Sequence, residues 1–330
     1  MDFALPIVFM SIMGLAMFVY VILDGYDLGI GILLPLGSDN EKDYMIASIG
    51  PFWDANETWI VLGVGVLLIA FPKAHGLVLT SLYLPVTLML MGLILRGVAF
   101  DFRVKAGSDK KQFWNRAFFI GSLLATLCQG WMLGAYVTGL SSSKLSTLFS
   151  CLIGLSLPAL YILLGAGWLL IKAEGQLQLK ALKWARRALL PMGLALILVS
   201  VATPLVSETI AAKWFTLPNT IGLVPIPLSC LAAFIAIDRL SRNPKILQSG
   251  YAWAVYACTV FICVMATVGL AYSLYPDIVI GKLTIWQAAS ATESLLFVLI
   301  GIVISVPAII AYTIFVYKVF SGKTIELKYE

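Results

Sequence analysis

The sequence predicts an all-α polytopic membrane protein: nine transmembrane helices forming a single integral membrane domain, residues 1–330. Three observations carry this. Hydrophobic residues make up 61% of the chain and charged residues only 12%, against about 25% charged in a soluble domain. The mean hydropathy is +0.97. Apolar runs near 20 residues, enough to cross a bilayer, recur along the whole length.

The first span is read at 6–35. It is longer than a bilayer requires, so its ends project or it tilts. No basic segment precedes it and its apolar run continues to full length, so it reads as a span and not as a cleaved leader. Residues 37–50 are polar and charged, the composition of a short interfacial helix. Spans two to five follow at 52–71, 77–101, 114–139 and 149–171. Spans six to nine follow at 187–206, 219–238, 251–272 and 287–317. Pro158, Pro191, Pro225, Pro227 and Pro307 lie in or beside spans, where proline most often means a kink.

Basic residues set the orientation. With the N-terminus outside, the inward segments hold Lys42; Arg103, Lys105, Lys110, Lys111 and Arg116; Lys172, Lys180, Lys183, Arg186 and Arg187; Arg239, Arg242 and Lys245; and Lys318, Lys323 and Lys328. The outward segments hold only Lys73, Lys144, Lys213 and Lys282. This is a strong positive-inside asymmetry, and an even number of spans would break it. The net charge of +5 therefore reads as topology and lipid headgroup contact, not as a nucleic-acid surface.

Several chemistries are excluded. Cys128, Cys151, Cys230, Cys258 and Cys263 all lie in apolar segments without a Cys-x-x-Cys pair, so they read as packing residues. The single histidine, His75, sits in a short outward loop and cannot supply two haem ligands or a multi-histidine metal site. No metal site is expected. There is no phosphate-binding glycine loop, dinucleotide fingerprint or nucleophile elbow. Gly29 and Gly31 read as close helix packing.

The chemistry-bearing residues cluster in the first third. Asp24 and Asp27 lie three apart in span one, past its middle. Asp54 and Glu57, again three apart, line the first turns of span two, and Arg96, Asp101 and Arg103 close span three. A carboxylate inside a span costs about 2.5–3.5 kcal/mol, so it is rarely idle. Two readings stand. In one, Arg96 pairs with a carboxylate as a polar lock. In the other, the acids form a proton-entry path, with Asp54 and Glu57 at the mouth and Asp27 then Asp24 deeper. Arg96 is then a pairing or propionate-facing group, since arginine stays protonated. Glu293, in span nine, has no evident partner in its own helix.

Three runs are familiar: Asp24-Gly25-Tyr26-Asp27-Leu28-Gly29, Gly50-Pro51-Phe52-Trp53-Asp54-Ala55-Asn56-Glu57-Thr58-Trp59, and Leu95-Arg96-Gly97-Val98-Ala99-Phe100-Asp101-Phe102-Arg103. They resemble subunit II of the cytochrome bd-type quinol oxidases. The length is similar to the shorter form of that subunit, which includes the type called cyanide-insensitive oxidase. The resemblance implies two four-helix bundles plus one peripheral helix. It implies a haem-bearing subunit I as obligate heterodimer partner, holding two b-type haems and one d-type haem. No catalytic residue and no cofactor is then held by this chain alone, although some relatives bind a structural quinone. The complex would oxidise quinol, reduce O2 to water with protons from the cytoplasm, and make a membrane potential without pumping protons. A small single-span accessory subunit and membrane lipids complete the implied partners, in a bacterial cytoplasmic (inner) membrane. Asp54 would mark the proton path, Trp53 the interface with subunit I, and Arg96, Asp101 and Arg103 structural polar contacts.

Two other classes compete: a proton-coupled secondary transporter, and a purely structural or assembly subunit. Transporters often show paired interruptions in repeated halves, and none is evident here. A visible spectrum of the complex purified through this chain separates the oxidase from the transporter.

Overall fold

The computed structural model describes residues 1–324, with the side chains of all but Ser108 and Asp109; Lys328, counted above, lies outside them. In chain order the helices are α1 (Ala4–Leu33), α2 (Asp39–Ile49), α3 (Trp53–Ala70), α4 (Pro72–Lys105), α5 (Ser108–Val137), α6 (Lys144–Lys172) and α7 (Gly175–Val206). Then come α8 (Glu208–Trp214), α9 (Asn219–Leu223), α10 (Pro225–Arg242), α11 (Trp253–Leu274), the strands β1 (Asp277–Val279) and β2 (Leu283–Thr284), α12 (Ile285–Ala288) and α13 (Thr292–Val319). Among the described residues nine helical segments are long and apolar enough to cross a membrane, α9 and α10 forming one of them.

Several boundaries differ from the sequence reading. α7 begins at Gly175, not near 187, because its first three turns carry Gln, Lys and Arg and so escape a hydropathy window. α4 starts at Pro72, where a proline is tolerated because its missing N–H would be unpaired anyway. The break in helical dihedrals falls in α4, at Leu82 (φ −113°, ψ 16°), three residues before Pro85. A proline ring clashes with the carbonyl four residues back. Pro85 was not among the prolines singled out, and Pro225 instead occupies the first turn of α10.

The interfacial helix is α2. Ser38 and Glu41 form a reciprocal capping box at its start, and its second half, Met45 to Ile49, is buried. It is pinned at the end of the molecule where the basic residues gather. Lys180 of α7 reaches Glu41 at 2.6 Å, and Arg103 of α4 reaches Asp43 at 2.6 Å. Burial opposes ionisation of Glu41, but Lys180 and the Ser38 backbone hold its carboxyl below the usual glutamate range.

α1 is the central helix, packed against α3, α5 and α6. The closest approach is where Gly29 meets α6. A Cβ there would overlap the Tyr161 carbonyl, and one at Gly165 would overlap the backbone of Gly29 and Ile30. Small residues permit this contact between helix backbones. α13 rests on α3 and α1, while α7 and α11 pack on α6, and α10 packs on α7 and α11. At the opposite end from α2, the antiparallel β1–β2 hairpin accepts a hydrogen bond from Tyr136 at Ile278. These short elements carry no hydropathy signal and were not anticipated.

Candidate functional site

Three helices bring the polar residues together. α1 carries Asp24 and Asp27, both fully buried; α3 contributes Asn56 and Glu57 from its first turns; α4 contributes Arg96, 1% exposed. Arg96 Nη1 donates to Asp24 Oδ1 at 2.6 Å, and Nη2 donates to Glu57 Oε1. One guanidinium thus bridges two carboxylates on different helices, which its planar, five-donor geometry allows. The Glu57 side chain is 27% exposed, so the chain runs from a partly open acid to a closed one. The Trp53 ring lies 6.0 Å from the guanidinium carbon, within cation–π range.

Asp27 belongs to a second branch. Asn56 Nδ2 donates to Asp27 Oδ2 at 2.8 Å and to the Tyr26 hydroxyl at 2.9 Å. Tyr26 and Tyr317 share a 2.6 Å hydrogen bond, and Tyr317 donates to Asn56 Oδ1 at 3.1 Å. On the other side of Asp24, Tyr161 donates to Gln129, which donates to Tyr20, each at 2.7 Å. Asp24 Oδ2, Asp27 Oδ1 and Arg96 Nε have no protein partner. The cluster therefore keeps donor and acceptor capacity that the protein does not fill.

The acids singled out in the sequence fall into separate hydrogen-bond groups. Glu57, Arg96 and Asp24 form one bonded chain, while Asp27 bonds Asn56, whose other side-chain partners are Tyr26 and Tyr317 and not members of that chain. Asp54 is exposed and bonded to none of them; only its backbone carbonyl is engaged, by Thr58. Residues three apart on a helix differ by about 60° in direction, which turns Asp54 to the surface while Glu57 faces Arg96. Asp101 is also exposed and does not join Arg96. Arg103 is buried a further two turns along, with Asp43 and Asn115 as partners. Trp53 is half-buried, tilted against Phe100 at 5.2 Å. Glu293 sits exposed in the first turn of α13, at the start of the last span.

Sequence reasoning passed over Asn56, Tyr26, Tyr317, Gln129 and Asp43. Neutral amides and phenols carry no insertion penalty large enough to stand out in a hydropathy profile. Asn56, between Asp54 and Glu57, and Tyr26, between Asp24 and Asp27, had a signal in their charged neighbours.

A haem does not fit this chain's own donor set. His75 is half-buried near the start of α4, about 30 Å along that helix from Arg96, and there is no second histidine to complete an axial pair.

Comparison with known proteins gives this site its context. The family model described as cytochrome bd terminal oxidase subunit II matches residues 5–320. The chain is 28% identical over 323 residues to a Bacillus subtilis (strain 168) protein named cytochrome bd ubiquinol oxidase subunit 2, covering 91% of each. It is 26% identical over 359 residues to the cytochrome bd-I ubiquinol oxidase subunit 2 of Escherichia coli (strain K12), covering 94% of this chain and 93% of that one. The fold matches a chain of the bd oxidase from Geobacillus thermodenitrificans with a TM-score of 0.75 at 17% identity, covering 96% of this chain and 98% of the other. With 316 consecutive positions matched by one family model, across every helix that forms the polar cluster, the chain belongs to the cytochrome bd terminal oxidase subunit II family.

Proposed function

We propose that this chain is the non-haem core subunit of a bd-type quinol:oxygen oxidoreductase and that its polar cluster takes up protons from the cytoplasm for reduction of O2 to water. The observation that carries the reading is the bonded series from half-open Glu57 through Arg96 to fully buried Asp24. Two b-type haems and one d-type haem, held by subunit I, would supply quinol oxidation and oxygen reduction. The roles below belong to this chain's own residues.

Arg96 stays charged and anchors the two acids. Asp24, Asp27 and Glu57 outnumber it three to one, so the cluster is electrically neutral only with two protons bound. Protons can then enter at the partly exposed Glu57, after collection at the surface by Asp54. The other acids change their hydrogen-bond partners little as they do so, because Asn56 and Tyr26 hold one branch and Arg96 the other. Trp53 and the exposed apolar faces of α3, α4 and α13 face the partner, across an interface above about 2,000 Å², the obligate class.

Asp54→Asn tests the path. The side chain keeps its size and makes no hydrogen bond within this chain, so no internal contact is lost. Oxygen consumption per haem should fall at least about tenfold, ~1.4 kcal/mol in barrier, while haem content per milligram of membrane stays at the wild-type level. Full turnover with full haem content would make the cluster a purely structural lock.

On this reading the N-terminus lies outside and the C-terminus in the cytoplasm of a bacterial cell. Reporter fusions after Gly107 and after Ser142 should read cytoplasmic and external respectively. The reverse pattern would move the proposed entry to the wrong face and overturn it.

A further inference from the structure

The basic end of the molecule holds cations that the polar cluster does not use. Lys183, Arg186 and Arg187 of α7 line an open recess of about 370 Å³. Arg239 and Lys245 line a second, of about 320 Å³, formed by the end of α10 and the turn after it. α7 packs against both α10 and the 244–247 turn, and Ile246 is buried in the same core as Trp184 and Ala185. The two cation groups therefore flank one seam. Nearby acids are already committed: Glu41 to Lys180, and Asp238 to Arg242. Among the described residues, none of the five lining cations has an ion-pair partner.

What lies beside these cations along α7 identifies the ligand class. Lys183, Arg186, Arg187 and Leu190 follow helical spacing on one face, which continues through Leu194 and Ile197. All six are exposed. Phosphate-binding chemistry is thus set directly at the head of an unpartnered apolar stripe inside a span. A soluble anion would use only the first part of this surface. A lipid with a phosphate head and acyl tails would use both.

We propose that Lys183, Arg186 and Arg187 form a site for the phosphate of an anionic phospholipid whose acyl chains lie along Leu190, Leu194 and Ile197. Arg239 and Lys245 extend the positive field across the seam. Basic pockets between spans on the cytoplasmic side bind anionic headgroups. The site is independent of the proton path, since none of its residues touches the Asp24–Arg96 cluster.

The test uses the complex purified through this chain, stripped of lipid in detergent and titrated with phosphatidylglycerol or with phosphatidylcholine of the same chain length, read by native mass spectrometry. Wild type should bind phosphatidylglycerol about tenfold more tightly. The triple variant Lys183→Gln, Arg186→Gln, Arg187→Gln should lose that preference, while Lys105→Gln, Lys110→Gln, exposed elsewhere on the same end, should keep it. Absence of preference in wild type, or equal loss in both variants, would overturn the site. Should the triple variant fail to assemble, competition on wild type decides: inorganic phosphate displacing the lipid as effectively as phosphatidylglycerol itself would make this an ion site and sink the lipid assignment.

Discussion

Arg96→Gln is expected to lower the amount of assembled chain in the membrane severalfold, with a loss of about 3–5 kcal/mol in stability. Among the described residues Arg96 is the only cation ion-paired with Asp24, which is fully buried. Glutamine removes the charge and shortens the reach, so it cannot bond both Asp24 and Glu57. Each carboxylate would then have to take a proton or remain as an unpaired buried charge. Lysine should rescue poorly, because a point charge cannot serve two carboxylates on different helices as a planar fork does. Asp24→Asn combined with Arg96→Gln should recover part of the loss, since removing both partners leaves less uncompensated charge than removing one. The measurement is the chain level in membranes together with the thermal stability of the purified complex. Equal stability of Arg96→Gln and wild type would show that the ion pair is dispensable to the fold.

Gly29→Ala should be nearly as damaging although it adds one methyl group. The new Cβ would meet the carbonyl and carbon of Tyr161, which are backbone atoms and cannot swing aside. Overpacking ordinarily costs about 1–3 kcal/mol, and a backbone clash belongs at the upper end. The helices must separate, and with them Tyr161 and its hydrogen bond to Gln129. Gly14→Ala, on the same helix with open space around it, is the control and should be neutral or slightly stabilising. Similar thermal stability for the two variants would mean that α1 and α6 have slack at their crossing.

The fold was legible where it depends on the bilayer. Each span announces itself because lipid demands a long apolar run whatever its neighbours are. The same rule hides helix that leaves the membrane, which is why α7 was started twelve residues late. It also hides α8 and the β1–β2 hairpin, which are too short to show a period. At the site, the charged members were legible because charge in a span is costly. Their pairing was not, because it depends on which way each helix is turned. Asp54 and Glu57 look equivalent in sequence, yet a rotation of about 60° leaves one at the surface and the other on Arg96. Arg103 shows the same limit, since its partner Asp43 lies on an interfacial helix whose position only packing fixes.

The bond between Tyr317 and Asn56 joins residues 261 positions apart. Just beyond Tyr317 the chain is fastened to the end of α6. Lys172 Nζ donates to the Phe320 carbonyl at 2.5 Å, the Thr324 N–H to the Lys172 carbonyl at 2.9 Å, and Lys323 Nζ to the Ala173 carbonyl at 2.9 Å. Helices leave the ribosome in chain order, so Asn56 and Tyr26 enter the bilayer long before the residue that completes them exists. Until α13 is made, the partner that Tyr317 gives to Tyr26 of α1 and to Asn56 of α3 is missing, and only the last helix supplies it. The polar group begun by the first helix is thus completed by the last.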